Sequence, residues 1–235
     1  MDARPARLQW PTLCCICRAW GRSRICGPCE SRFAPPAARC PRCASRTPEG
    51  VSVCANCQRQ PPPFDRCIVV ADYGFPWDAV IGRFKFHDGL DLADALAALL
   101  ARAVAAAAAP APALVLPVPL GPERLAQRGY NQSAELATRS ARRLGLACDT
   151  TLLQRLVDTP HQAQLPLQAR RSSLLGCFGV DPAHSHPLRG RTVAVVDDVV
   201  TSGATAGEAA RSLRAAGAAS VQVWAFARTP PPSDA

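Results

Sequence analysis

RTVAVVDDVVTSGATAGEAA, residues 191–210, is the stretch that decides the fold. Val193–Val196 is an uninterrupted apolar run, the pattern of a central parallel strand covered on both faces. Asp197 and Asp198 follow at the carboxyl end of that strand, where open α/β sheets place their ligands. Thr201, Ser202, Gly203, Ala204 and Thr205 then supply hydroxyls and small residues, which let backbone N–H groups turn inward around an oxyanion. A helix predicted to start near Thr205 adds the positive end of its dipole. One strand, two carboxylates and an anion cradle suit a ligand that carries both a phosphate and a sugar diol.

The same residues resemble the phosphoribosyl pyrophosphate (PRPP) signature of type I phosphoribosyltransferases. That signature has four apolar residues, two acids, two apolar residues and a Thr/Ser-Ser-Gly-x-Thr loop, and every position fits. The resemblance implies that Asp197 and Asp198 are the catalytic pair holding the ribose hydroxyls. It further implies that Thr201, Ser202, Gly203, Ala204 and Thr205 take the 5′-phosphate, with Val199 and Val200 in the same PRPP-binding segment. Binding follows more directly than turnover, because a motif does not fix a reaction.

Toward the amino terminus, Leu114–Leu120 reads as another core strand, and its prolines limit ladder bonding at the far end. The loop from 121 to 132 carries Arg124, Arg128 and the string RGYNQ (128–132). Residues 131–144 read as a helix with Asn131 or Ser133 as cap. Cys67–Tyr73 reads as a strand and Trp77–Phe86 as a short helix. His87-Asp88 reads as a solvated turn, and Leu90–Ala109 as an Ala-rich helix ended by Pro110. Past residue 144, Cys148–Leu156 is expected to be a strand, Val180–Leu188 a turn-rich excursion with solvated His184 and His186, and Val221–Ala227 the last strand.

Twelve cysteines are present. Eight form four CxxC pairs: Cys14 with Cys17, Cys26 with Cys29, Cys40 with Cys43, and Cys54 with Cys57. A CxxC turn aims two thiolates at one point, and a tetrahedral Zn²⁺ takes two such turns. Four pairs therefore supply two structural zinc ions, paired either sequentially or as a cross-brace. The remainder, Cys15 excepted, sit in apolar surroundings and read as core. An Arg- and Pro-rich segment of this size has too little core to fold without metal.

Pro117-Val-Pro119, RGYNQ and the CxxC-rich start together resemble the ComF family of competence-associated proteins, which place a zinc module ahead of a phosphoribosyltransferase-like domain. The resemblance spans Cys14 to about Ala227. It implies that Arg124 and Arg128 meet the diphosphate, that Mg²⁺ accompanies the ligand, and that single-stranded DNA and competence or helicase proteins are partners. It also implies a mobile loop over 157–173, in which Thr159, Gln162 and Arg170 or Arg171 match the family. Ser173 stands where Asn is usual, and Cys177 where Ala is usual.

The expected fold is thus α/β, a type I phosphoribosyltransferase-like parallel sheet flanked by helices and preceded by a small zinc-ribbon module. The expected division is residues 1–60, 61–229 and a tail of 230–235, with Gln60–Pro63 as a stiff linker. The formal charge of +9 is uneven, because residues 1–66 hold 11 arginines against 4 acids. A basic amino-terminal module fits a polyanion partner, although Arg is also the default cation of this chain, whose only lysine is Lys85. The opening stretch lacks the apolar core of a secretory signal, and Arg102 interrupts the Ala-rich run, so the expectation is a cytoplasmic protein without a membrane span.

Overall fold

Residues 10–86, 89–157 and 175–230 are described by the computed structural model of the chain. Four strands build the central sheet: β3 (Arg66–Asp72), β4 (Leu114–Pro117), β7 (Thr192–Val200) and β8 (Ser220–Arg228). They run parallel in the order β3-β8-β7-β4. All-parallel strands are stable only when both faces are covered, and here the alternation along β7 divides its side chains between two cores. Val193 and Val195 pack on one side with Leu213 of α7 (Ala204–Ala215). Ala194 and Val196 pack on the other with α3 (Trp77–Phe86), α4 (Ala93–Ala106) and α6 (Gln132–Leu144). Trp77, Trp224 and Phe226 are fully buried there, and burial of each such ring contributes on the order of 2–3 kcal/mol.

Strand β7 runs on through Asp197 and Asp198 to Val200, because its pairing with β8 continues to Val200↔Arg228. The acids therefore lie within the second half of the strand and not beyond it. Strand β4 stops at Pro117, although the Val118 amide still donates to Val196 O at 2.9 Å. The strand expected over 148–156 is reduced to a single bridge between Cys148 and Val115 and, farther on, a two-residue β5 (Gln154–Arg155). The cause is local. Asp149 Oδ1 accepts from the amides of Thr151 and Leu152 at 2.7 and 3.0 Å and curls the chain out of the sheet. Strand β5 pairs instead with β6 (Phe178–Gly179). Residues 182–184 and 186–188 are short 3-10 turns, with His184 exposed beside Asp181. Residues 87–88, 158–174 and 231–235, which include the turn, the matching loop positions and the tail read from the sequence, lie outside the described residues.

The Ala-rich run is α4, preceded by a 3-10 turn over Gly89–Leu92. Leu96, Leu99 and Leu100 are buried within the sheet-covering layer. Among the described residues no helix is long and apolar enough to cross a membrane.

Ahead of the sheet, one local unit occurs twice. In the first, the hairpin of β1 (Thr12–Leu13) and β2 (Trp20–Gly21) encloses a CxxC turn, and the next CxxC opens α1 (Gly27–Phe33). In the second, the Arg39–Arg46 bridge encloses a CxxC turn, and the next CxxC opens α2 (Ala55–Arg59). Both turns are closed by a residue in the left-handed region, Arg18 (φ 63) and Ala44 (φ 60). The module is bonded to the sheet. Arg39 and Arg46 both bind Asp72, the last residue of β3, and Cys67 N donates to Pro41 O at 2.9 Å. Burial acts to raise the Asp72 carboxyl, but the two guanidinium partners outweigh it and hold the group below the usual carboxylate range. Pro63 and Phe64, at the end of the Pro-rich segment, lie against Gly207 and Gly203.

Candidate functional site

The carboxyl ends of the parallel strands bring one set of polar side chains together. Asp198 is buried, and Lys85 Nζ stands 2.9 Å from its Oδ1. Asp197 Oδ1 accepts from Ser133 Oγ at 3.1 Å and from the Asp198 amide at 2.9 Å. Burial, and then the charge of Asp198, push the Asp197 carboxyl up to about 7. Asp197 is thus held toward its protonated form.

The string RGYNQ sets this geometry. Arg128, at the end of α5 (Pro122–Arg128), lies over the Phe86 ring at 4.6 Å and donates to Gln132 Oε1 at 3.1 Å. Burial lowers its pKa, while the charge of Asp198 acts to raise it. The Tyr130 hydroxyl donates to Phe84 O, and Gln132 Nε2 donates to Lys85 O at 3.2 Å, so the end of α3 is held in place. Asn131 caps α6: its Oδ1 accepts from the amides of Ser133 and Ala134, and its Nδ2 donates to Val118 O at 3.0 Å. Asn131 is therefore the cap, and Ser133 is free to hold Asp197. Arg124 sits one turn before Arg128 on α5, half-buried.

After β7 the loop turns at Gly203, whose φ of 78 places it in the left-handed region where side chains cost about 1 kcal/mol or more. Ser202 Oγ accepts from the Ala204 amide at 3.3 Å, and α7 begins at Ala204, one residue before the predicted start. Thr201, Ser202, Ala204 and Thr205 stay at least partly accessible. Val199 and Val200 pack into the two opposite cores, so what they offer a ligand is backbone.

The eight CxxC cysteines form two groups, Cys14, Cys17, Cys26 and Cys29, and Cys40, Cys43, Cys54 and Cys57. Pairing is sequential. Within each group the sulfurs lie within 4.8 Å of one another, with Cys17–Cys26 at 3.5 Å and Cys43–Cys54 at 3.6 Å. Four sulfurs about 2.3 Å from a central ion stand about 3.8 Å apart, so both groups fit tetrahedral Zn²⁺. Burial acts against ionisation of Cys14 and Cys40, but bonds to the backbone amides of their own turns and of the opposing CxxC prevail, bringing them down to about 6 and about 7.

With this geometry in hand, the relatives are informative. The DNA utilization protein YhgH of Escherichia coli O157:H7 is 35% identical over 229 residues, covering 94% of this chain and 99% of the relative. Competence protein F of Haemophilus influenzae is 32% identical over 193 residues, covering 80% and 84%. The chain belongs to the ComF family.

No family model matches the chain. Among solved structures, a glutamine PRPP amidotransferase from B. subtilis is similar with a TM-score of 0.40 and 21% identity, covering 60% of this chain and 29% of that one. In this ComF chain, one charged residue of the site was not anticipated from its sequence. In the sequence Lys85 stands out only as the single lysine among 27 basic residues, and that singularity is the available signal.

Proposed function

We propose that this ComF-family chain binds PRPP, or a related phosphoribosyl ligand, together with Mg²⁺, and transfers or holds the phosphoribosyl group in the service of DNA uptake or nucleotide metabolism. The observation that carries the reading is the convergence, at the carboxyl end of one parallel sheet, of an acid pair (Asp198 buried, Asp197 half-buried), a left-handed glycine loop at a helix start, and two cations, Lys85 and Arg128. Asp197 and Asp198 accept from the ribose 2′ and 3′ hydroxyls. The amides and hydroxyls of Thr201 to Thr205 bind the 5′-phosphate. Lys85, Arg128 and Arg124 face the diphosphate, for which the planar guanidinium is well shaped. Two adjacent carboxylates also suit a hard cation that keeps most of its waters, and Mg²⁺ bound there would neutralise diphosphate charge.

The transfer reaction breaks the ribose C1–O bond to diphosphate and forms a C1–N bond to a nitrogen nucleophile. The chain supplies position and charge and needs no nucleophile of its own. Calorimetric titration of Mg·PRPP into the zinc-loaded protein and into Asp198→Asn tests the reading. Binding that the substitution weakens at least a hundredfold is expected. No heat from a folded, zinc-loaded wild type would overturn it.

A second reading, that the basic zinc module binds single-stranded DNA, is favoured by a specific observation. Trp10 and Trp20 are 85% and 74% exposed, and Arg18 and Arg22, two positions to either side of Trp20 in the chain, are exposed as well. Bases stack on such rings, and the two readings are compatible in one chain. The names of the relatives, which refer to DNA utilization and competence, support it.

A further inference from the structure

The two cysteine clusters differ in what they touch. The first is joined to the helical layer: Arg24 pairs with Asp91 at 2.8 Å, Glu30 with Arg102 at 2.7 Å, and Trp77 Nε1 donates to Phe33 O at 2.7 Å. The second is joined to the phosphate loop. Arg228, the last residue of β8, donates from Nε to Cys43 O at 2.9 Å. Its Nη1 donates to Val200 O at 3.1 Å, to Thr229 O at 2.8 Å and to Thr201 O. One planar group thus ties a ligand residue of the second cluster to the first residue of the loop. Among the described residues Arg228 has no carboxylate partner, so its charge is met by these carbonyl dipoles alone.

A second connection runs beside the first. Just past α2, which carries Cys57, the chain passes through Pro63 and Phe64. Their side chains stand 3.2 Å and 3.7 Å from where β-carbons on Gly207 and Gly203 would be. A cavity of about 440 Å³ lies between these layers, lined by Asn56, Gln60, Gly203, Arg211 and Arg228. The cluster, Arg228 and the loop form one contiguous network. The CxxC turn at Cys43 and Thr201 are joined through a single side chain.

We propose that the second cysteine cluster, when metal-loaded, sets the shape of the 201–205 loop through Arg228, and that Arg228 is a positioning residue for the phosphate group. The word phosphate rests on the phosphoribosyl reading above; the structural coupling does not. Coupling is reciprocal, so a ligand that orders the loop tightens the second metal site and not the first.

The test is hydrogen–deuterium exchange on the ligand-free, zinc-loaded full chain, with zinc counted per molecule. Cys54→Ser, which removes a ligand of the second cluster, is expected to speed exchange of the 199–207 peptide roughly tenfold, since local opening tracks lost tertiary bonds. Cys26→Ser, the matching change in the first cluster, is expected to leave that peptide within about twofold. Arg228→Ala is expected to reproduce the loop effect, either with both zinc ions retained or with selective loss of the second. Arg228→Lys, which has no planar fork to bridge Cys43 and Thr201, is expected not to rescue it. With cobalt(II) in place of zinc, Arg228→Ala is expected to shift the thiolate–metal absorption of the second site alone. A loop that exchanges at the wild-type rate in both Cys54→Ser and Arg228→Ala overturns the proposal. Equal acceleration by Cys26→Ser overturns it as well, since metal loss would then loosen the whole module. Failure of PRPP to bind the wild type counts against the phosphoribosyl reading and leaves these ligand-free results as they stand.

Discussion

Lys85 Nζ lies 2.9 Å from Asp198 Oδ1, joining two residues more than a hundred positions apart in the chain. The carboxylate is almost fully covered and the ammonium about three-quarters covered, at 10% and 23% exposed. Such a pair is held for geometry more than for net stability, because desolvation offsets much of the attraction.

Under the proposed phosphoribosyl reading, Lys85 has a ligand-dependent role. When an anionic diphosphate enters, the ammonium can face it while Asp198 turns to the diol. Lys85→Ala is expected to weaken Mg·PRPP binding ten- to a hundredfold, the usual scale for a charge-assisted bond. Lys85→Arg is expected to restore part of it. Calorimetry checks both, and an affinity unchanged in Lys85→Ala rules out contact with the ligand.

Asp197 gives the site a pH dependence whose sign is fixed. Its carboxyl is raised from 3.8 to about 7 in the folded protein, by burial first and Asp198 second. The folded state then holds a proton that the unfolded chain releases. Stability from this group is complete below about pH 4 and is lost as pH rises through 7. The wild type is expected to lose several degrees of Tm between pH 5 and pH 8 relative to Asp197→Asn. Using the difference between the two proteins removes the titration of other groups. Curves that stay parallel across that range would show that Asp197 is ionised throughout.

Gly203 bears on both stability and binding. At φ 78 a β-carbon is strained, yet its nearest neighbours would be Phe64 ring atoms at 3.7 and 3.8 Å, an ordinary contact. Gly203→Ala is therefore expected to cost about 1 kcal/mol from backbone strain and not from a clash. In a chain of this size that is a Tm decrease of about 2–4 °C. Phosphate affinity is expected to fall further than stability, because the turn aims the loop amides.

The strand, acid pair, loop and helix were legible in the sequence because they are contiguous: twenty residues carry the whole device. Lys85 was not, since only tertiary packing of α3 against the sheet end brings it to Asp198. The strand expected over 148–156 failed because the Asp149 side chain captures nearby amides, a short-range competition that apolar patterning does not register. Cysteine spacing allowed either pairing. The choice became visible only when each CxxC turn was seen to face the helix start that follows it. RGYNQ carried the family resemblance without revealing its work, which is to clamp α3 and to leave Ser133 available for Asp197.

The cysteine-rich module supplies the last prediction. Trp20 is 74% exposed, opposite Leu13 in a two-stranded hairpin, and neither Arg18 nor Arg22 forms an ion pair among the described residues. An exposed ring beside unpaired cations fits a stacked base and its phosphates. Single-stranded oligonucleotide binding, followed by fluorescence anisotropy, is expected to weaken roughly five- to a hundredfold in Trp20→Ala, the scale of one lost stacking contact. Arg22→Ala is expected to lower the slope of log affinity against log salt by about 0.7, the value for one phosphate contact on a single strand. These two effects separate stacking from charge. If both variants bind like the wild type, the hairpin is not the DNA surface. A slope unchanged in Arg22→Ala while Trp20→Ala weakens binding would place the ring, but not that arginine, against the strand.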